Sequence, residues 1–146
     1  MTITPQERAE RSAASMWRRD QASQWLGLSL DRVAPGQAIL SLEVAAHHCN
    51  GHGICHGGFI FTLADSAFAF ACNSYNTLAV AQHNTISFIA PGRQGDQLIA
   101  TAQEVSRAGR NGIYDVAVHA GDSLIATFRG CSRTVKGQHF EEDNTP

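Results

Sequence analysis

The order of segments in this 146-residue chain predicts an α+β fold, a curved antiparallel sheet wrapped around one central helix. Three observations carry that prediction. Residues 56–73 are hydrophobic on every face of any helix drawn through them, which is the pattern of an interior helix. Strand-like runs stand on both sides of this segment, with Gly, Pro, Asn and Asp in the gaps between them. The length suits one ordinary domain, large enough to bury such a helix under a sheet.

The elements follow in order. Thr4-Pro5-Gln6-Glu7 is a helix start, with Thr4 as N-cap, Pro5 in the first turn and Glu7 completing a capping box. That helix should run into the twenties, break near Asp20 and stop at Gly27. Leu28 to Arg32 and Ile39 to Val44 read as strands joined by the turn Ala34-Pro35-Gly36-Gln37. His47 to Gly53 is a loop feeding the apolar helix. Leu78–Ile89, Gln97–Arg107, Ile113–His119 and Ser123–Val135 are long strands whose short, turn-rich links predict an antiparallel meander. The domain should occupy residues 1–136, with 137–146 a flexible polar tail.

Bulk properties exclude several classes. A formal charge of −2 and a pI near 6.4 supply no basic field for nucleic acid. Residues 1–20 mix Glu and Arg and lack the apolar core of a secretion signal, and the run Phe59 to Cys72 is too short to span a bilayer. A cytoplasmic protein with reduced Cys49, Cys55, Cys72 and Cys131 is expected, with no membrane partner.

Asp65 is the only side chain fully charged at neutral pH between His56 and Arg93, and its neighbours are almost all apolar. Either it serves chemistry or it caps or pairs with a neighbouring element. Gly57-Gly58 opens the helix, where backbone N–H groups lack intrahelical partners and the helix dipole is positive. These glycines form an oxyanion site or merely allow a tight turn. Asp65 adds a base or nucleophile to the same setting. Eight residues of helix put Asp65 about 12 Å from Gly57, too far for one carbonyl to touch both. A two-fold dimer with antiparallel central helices would place Gly57 of one subunit beside Asp65 of the other. Phe61 and Thr62 share the stripe of Asp65, where they could line a bound acyl group or belong to the core.

Asn50 and His56 could hydrogen-bond substrate or brace the loop. Zinc ligation by the His47 to His56 segment lacks a Cys-x-x-Cys pair, a helical His pair or a second cluster, so no metal is expected. Ten of the eleven cations are Arg, and Arg93, Arg107 and Arg110 sit in or beside turns that could reach phosphates.

Asn50-Gly51-His52-Gly53-Ile54-Cys55-His56-Gly57-Gly58, then Leu63-Ala64-Asp65-Ser66-Ala67-Phe68-Ala69, Ile86-Ser87-Phe88-Ile89-Ala90-Pro91-Gly92 and Gly95-Asp96, resembles the PaaI-type hotdog-fold acyl-CoA thioesterases of phenylacetate degradation. The similarity runs from about Trp25 to Val135. It implies Asp65 as general base or nucleophile supplied by the partner subunit, Gly57 as oxyanion donor, and Asn50 and His56 as helpers. Gly58, Phe61 and Thr62, on the opening turns of the same helix, are the expected substrate-side residues. It also implies a homodimer as minimal active unit, a homotetramer of two such dimers, and no cofactor. Some relatives place an Asn in the N-terminal helix, where this chain has Trp17-Arg18-Arg19-Asp20. Others use Ser or Thr after the central helix, where it has Ala81-Gln82-His83. The expected reaction is hydrolysis of an acyl-CoA, with phenylacetyl-CoA or hydroxyphenylacetyl-CoA as substrate. The alternative is a non-catalytic acyl-CoA sensor on the same fold, which would need no buried carboxylate.

Overall fold

The computed structural model describes residues 2–143. Helix α1 (Pro5–Arg19) opens with the expected capping box: Glu7 N–H donates to Thr4 Oγ1 at 3.0 Å and Thr4 N–H to Glu7 Oε2 at 2.7 Å. Asp20 ends α1 and caps α2 (Gln21–Leu26) through Ser23 N–H at 2.9 Å. Gly27, at φ 91, supplies the left-handed turn that stops α2. Strands β1 (Ser29–Ala34) and β2 (Gln37–Glu43) form a hairpin, and the apolar segment is α3 (Gly57–Cys72). Strands β3 (Ala79–Phe88), β4 (Gln97–Ala108), β5 (Asn111–Ala120) and β6 (Ser123–Thr134) complete one antiparallel sheet, ordered β1-β2-β4-β5-β6-β3.

Only β4, β5 and β6 form the expected meander. β3 does not pair with β4, its neighbour in sequence; it lies at the far edge, against β6. The link between them is no hairpin, because its polar groups are used elsewhere. Cys55 N–H donates to Gly92 O, Gly95 N–H to Val44 O and Val44 N–H to Asp96 O, so the link crosses the end of the sheet beneath the loop that leads into α3.

Leu63, Ala64, Ala67, Phe68 and Ala71 of α3 are buried with Leu40, Leu42, Leu98, Val116, Val118 and Ile125 of the sheet. Gly130 on β6 sets the approach, since a Cβ there would lie 2.7 Å from the Phe68 ring. The helix is not buried all round, as its composition predicts. Phe61, Thr62, Asp65, Ser66 and Ala69 are half-buried, leaving one open stripe beside β3. Val80, Phe88 and Ile89, in β3 or just after it, are 50%, 54% and 57% exposed. Apolar side chains on a free sheet edge are a ready surface for another chain.

The segment from 137 makes contacts that a flexible tail does not foresee. Asn76, itself at φ 57, donates through Nδ2 to Phe140 O and Glu142 Oε2 and accepts at Oδ1 from the N–H groups of His139 and Phe140. Arg8 forms a two-nitrogen pair with Glu142. Residues 144–146 of the expected tail lie outside the described residues.

Candidate active site

His56 is the N-cap of α3 because its ring reaches back over the first turn, with Nδ1 accepting from Gly58 N–H at 2.9 Å. That contact occupies one of the two glycine donors. Gly57 N–H makes no hydrogen bond among the described residues, so the free donor at the helix head is Gly57's. A Cβ on Gly57 would stand 3.0 Å from Phe88 Cζ, so glycine leaves room for that ring at the helix head. His56 Nε2 makes no hydrogen bond among the described residues, and with Nδ1 accepting it carries the ring proton.

The loop before α3 is closed by a short antiparallel bridge between Cys49 and Cys55, with Asn50 N–H donating to Ile54 O at 2.8 Å. Asn50 Oδ1 braces this loop by accepting from His52 N–H at 2.9 Å, while its Nδ2 stays without a partner among the described residues. Both readings of Asn50 therefore have a place: one end of the amide holds the loop, the other is available to a ligand. His48 turns inward, Nδ1 accepting from Ala45 N–H at 2.9 Å and Nε2 donating to Leu26 O at 2.9 Å. No three His, Cys, Asp or Glu side chains among the described residues are grouped to hold a metal ion.

Two turns along α3, Asp65 Oδ1 accepts from Asn84 Nδ2 at 2.9 Å. Burial pushes the Asp65 carboxyl above its ordinary value, and the hydrogen bond from Asn84, which favours the charged form, opposes part of that rise. Oδ2 makes no hydrogen bond among the described residues. Beside Asp65, Ser66 Oγ lies 3.1 Å from Ser23 Oγ, which donates to Asp20 Oδ2 at 2.7 Å, so α2 is tied to the open stripe by hydroxyl groups. Thr62 Oγ1 donates back to Gly58 O at 2.9 Å, and the Phe61 ring meets Phe128 edge-on at 5.5 Å, toward the sheet.

The three arginines fall at opposite ends of α3. Arg93 shares a bridge with Ile54, beside the loop of Asn50 and His56. Arg107 and Arg110 line a cavity of about 400 Å3 with Cys72, Tyr114 and Ser132, near the other end. Arg107 lies over the Tyr75 ring at 3.5 Å, and Arg110 donates to Thr134 O. Burial pushes the Cys72 thiol up to about 12, so it remains protonated there.

Asn84 is the residue that sequence reasoning passes over. A strand alternating from Ala79 would turn Ala81 and His83 inward, but a bulge between Ala81 and His83 shifts the alternation and points Asn84 and Ile86 toward α3. The available signal is that Asn84, Ile86 and Phe88 alternate as one face, with Asn the lone polar member.

The family model described as the thioesterase superfamily matches residues 52–127. The chain is 40% identical to acyl-coenzyme A thioesterase PaaI of Escherichia coli (strain K12) over 131 residues, 89% of this chain and 94% of that protein. The solved structure of the E. coli PaaI protein from the phenylacetic acid degradation operon is similar at a TM-score of 0.90 and 38% identity, covering 92% of this chain and 99% of that one. Acyl-coenzyme A thioesterase 13 of Homo sapiens is 31% identical over 107 residues, 70% of this chain and 76% of that protein.

Proposed function

This chain belongs to the thioesterase superfamily, and from that premise we propose that it hydrolyses acyl-CoA thioesters, with phenylacetyl-CoA or hydroxyphenylacetyl-CoA as the preferred substrate class. The observation that carries the reading is the open stripe of α3, which bears an unused N–H at Gly57 and a carboxyl at Asp65 about 12 Å apart along the helix. Neither group alone accounts for thioester cleavage. A two-fold partner with its α3 antiparallel brings each N–H to the other subunit's carboxylate, and the free apolar edge of β3 supplies the surface on which such a partner can pair.

In the assembled site the thioester carbonyl oxygen lies at Gly57 N–H, where the helix dipole favours the charge that develops on it. Asp65 of the partner subunit then takes a proton from water as water attacks the carbonyl carbon, and passes that proton to the departing CoA sulfur. In the second form of the reaction the carboxylate itself attacks, giving a mixed anhydride that water hydrolyses. Either path consumes one water and releases free CoA and the carboxylic acid. His56 Nε2–H at the helix head, and Asn50 Nδ2 on the loop that leads into it, are the donors available to the thioester or the pantetheine amides. Gly58 and Thr62 continue along the stripe on the acyl side, and Phe61, half-buried against Phe128, would border it from the sheet side.

Arg93, beside the helix head, is the nearest candidate for the CoA phosphates. Antiparallel packing also carries the Cys72 end of each helix about 10 Å past the head of the other, which brings Arg107 and Arg110 of the partner subunit toward the same mouth. The assembly is read as a homodimer, doubled to a homotetramer, working in the cytoplasm. No helix among the described residues is long and apolar enough to cross a membrane.

The test is release of free thiol across aryl and aliphatic acyl-CoA substrates. Arylacetyl-CoA should turn over fastest. Measurable binding with no turnover of any acyl-CoA would replace the enzyme by an acyl-CoA sensor. In a single turnover in heavy-oxygen water, an unlabelled enzyme oxygen in the first product would identify direct attack, with water opening the anhydride at the Asp65 carbonyl and leaving the bridging oxygen on the acid.

A further inference from the structure

We propose that Asn84 is a positioning residue for this hydrolysis: its amide holds Asp65 by one carboxylate oxygen, leaving Oδ2 as the oxygen presented to the attacking water or the thioester carbon. The proposal rests on the thioesterase reading of the site.

Two features of the fold converge on the Asn84–Asp65 contact. The bulge between Ala81 and His83 is what turns Asn84, rather than His83, toward α3. Asn84 pairs across the sheet with Gly130, whose missing side chain lets Phe68 sit on the sheet at that row. Asp65, one turn before Phe68, is thereby lowered to within 2.9 Å of Asn84 Nδ2.

The amide has no other occupation. Asn84 Oδ1 is buried and has no hydrogen-bond partner among the described residues, so Asp65 is the only polar group the side chain serves. A buried amide with one end unpaired works against folding, and an apolar residue continuing the face of Ile86 and Phe88 would pack there without that penalty. The advantage therefore lies at Asp65. A neutral donor also suits the task better than Arg or Lys, since a full positive charge would depress the basicity of the carboxylate much further.

Few other titratable groups surround Asp65. On α3 there is Cys72, and at the head of α2 Asp20 is reached through Ser23 and Ser66. On the sheet side β5 presents Tyr114 against Phe68, its hydroxyl donating to Glu104 of β4 at 2.8 Å, while β6 presents Gly130 and Phe128. Asn84 is the only one of these neighbours that donates a hydrogen bond to the carboxyl.

The experiment compares the full-length protein with Asn84→Ala and with Asn84→Leu, which fills the same space and keeps the measurement available should Ala unsettle the edge strand. Thiol release is followed across pH, and the Asp65 carboxyl is titrated directly by 13C NMR. Loss of the donor should lower kcat about tenfold to a hundredfold, the scale of a hydrogen bond to a charged group, with little change in KM. The acid limb of the rate profile and the carboxyl titration should both move to higher pH, because the charged form has lost its support. In an Asp65→Asn background the same substitutions should change nothing further. An acid limb and a titration that stay in place, even with kcat reduced, would overturn the proposal by showing a merely structural role. Absence of thiol release by the unaltered protein would remove the thioesterase reading itself, and the proposal with it, whatever the titration shows.

Discussion

At the C-terminal end of α3, Asn73 and Asn76 use both ends of their amides, whereas at its head and along its open stripe Gly57 N–H, Asp65 Oδ2 and Asn84 Oδ1 have no partner among the described residues. Asn73 Oδ1 accepts from Ala79 N–H at 2.9 Å and from His139 Nε2 at 2.8 Å, and Asn76 clasps residues 139–142. The two regions belong to one helix and one continuous core, yet one is closed by hydrogen bonds and the other is left able to accept a ligand or a second chain. Stability and function should therefore separate along α3.

The largest effect that would sharpen this contrast is expected at the open stripe. Asp65→Asn should lower kcat by at least about a hundredfold, the scale of losing a positioned base or nucleophile. The same substitution should raise the melting temperature at neutral pH. Burial raises the folded-state pKa of Asp65, so the native state holds the proton more tightly than the unfolded chain. Stability associated with that proton is lost as pH rises from the unfolded value through the raised one, which leaves the ionised carboxylate a net burden above it. Asn removes that burden. Thermal unfolding at neutral pH checks it, and a marked fall in melting temperature would mean that Asp65 holds the fold instead. For the same reason the rate of the unaltered protein should fall on acidification at a pH above the ordinary carboxylate range.

The closed end predicts the reverse pattern. Asn76→Ala removes a clasp of four hydrogen bonds at a left-handed backbone position and should destabilise the protein by about 2–4 kcal/mol. Catalytic constants per folded molecule should stay within about twofold. Denaturant unfolding with parallel kinetics decides this; equal damage to stability and kcat would erase the distinction between the two ends.

Smaller effects are expected at the arginines. Arg93→Ala should raise KM for acyl-CoA several-fold with kcat unchanged, and should matter less for an acyl-pantetheine that lacks the nucleotide. Arg107→Ala should in addition lower stability slightly, since its guanidinium covers the Tyr75 ring. Equal losses on both substrates would show that a given arginine does not act through the phosphates.

What was legible in the chain was local. The capping box at Thr4, the stop at Gly27 and the start of α3 at Gly57 depend on residues a few positions apart, and each falls where its chemistry requires. The place of β3 was not legible, because hairpin-like turn residues in Pro91 to Asp96 do not reveal that the link is bound to Cys55 and Val44 instead of closing a ladder. The open stripe of α3 was hidden for a related reason: composition shows that a face is apolar, not what covers it. Asn84 depends on a bulge, and one extra residue in a strand reverses which side chains face inward. The contacts of residues 139–142 depend on two buried amides far away in sequence, which no property of a polar tail announces.

If each catalytic site takes its N–H from Gly57 of one subunit and its carboxylate from Asp65 of the other, mixing two inactive variants should restore activity. Protein carrying Asp65→Asn and protein carrying Gly57→Val should each be inactive. A hybrid of the two has one interface where both undamaged halves meet. After exchange, an equal mixture in which half the dimers are hybrids should regain about a quarter of the unaltered activity, one intact site in every hybrid. No recovery, with hybrids verified by mass spectrometry, would contradict the shared site.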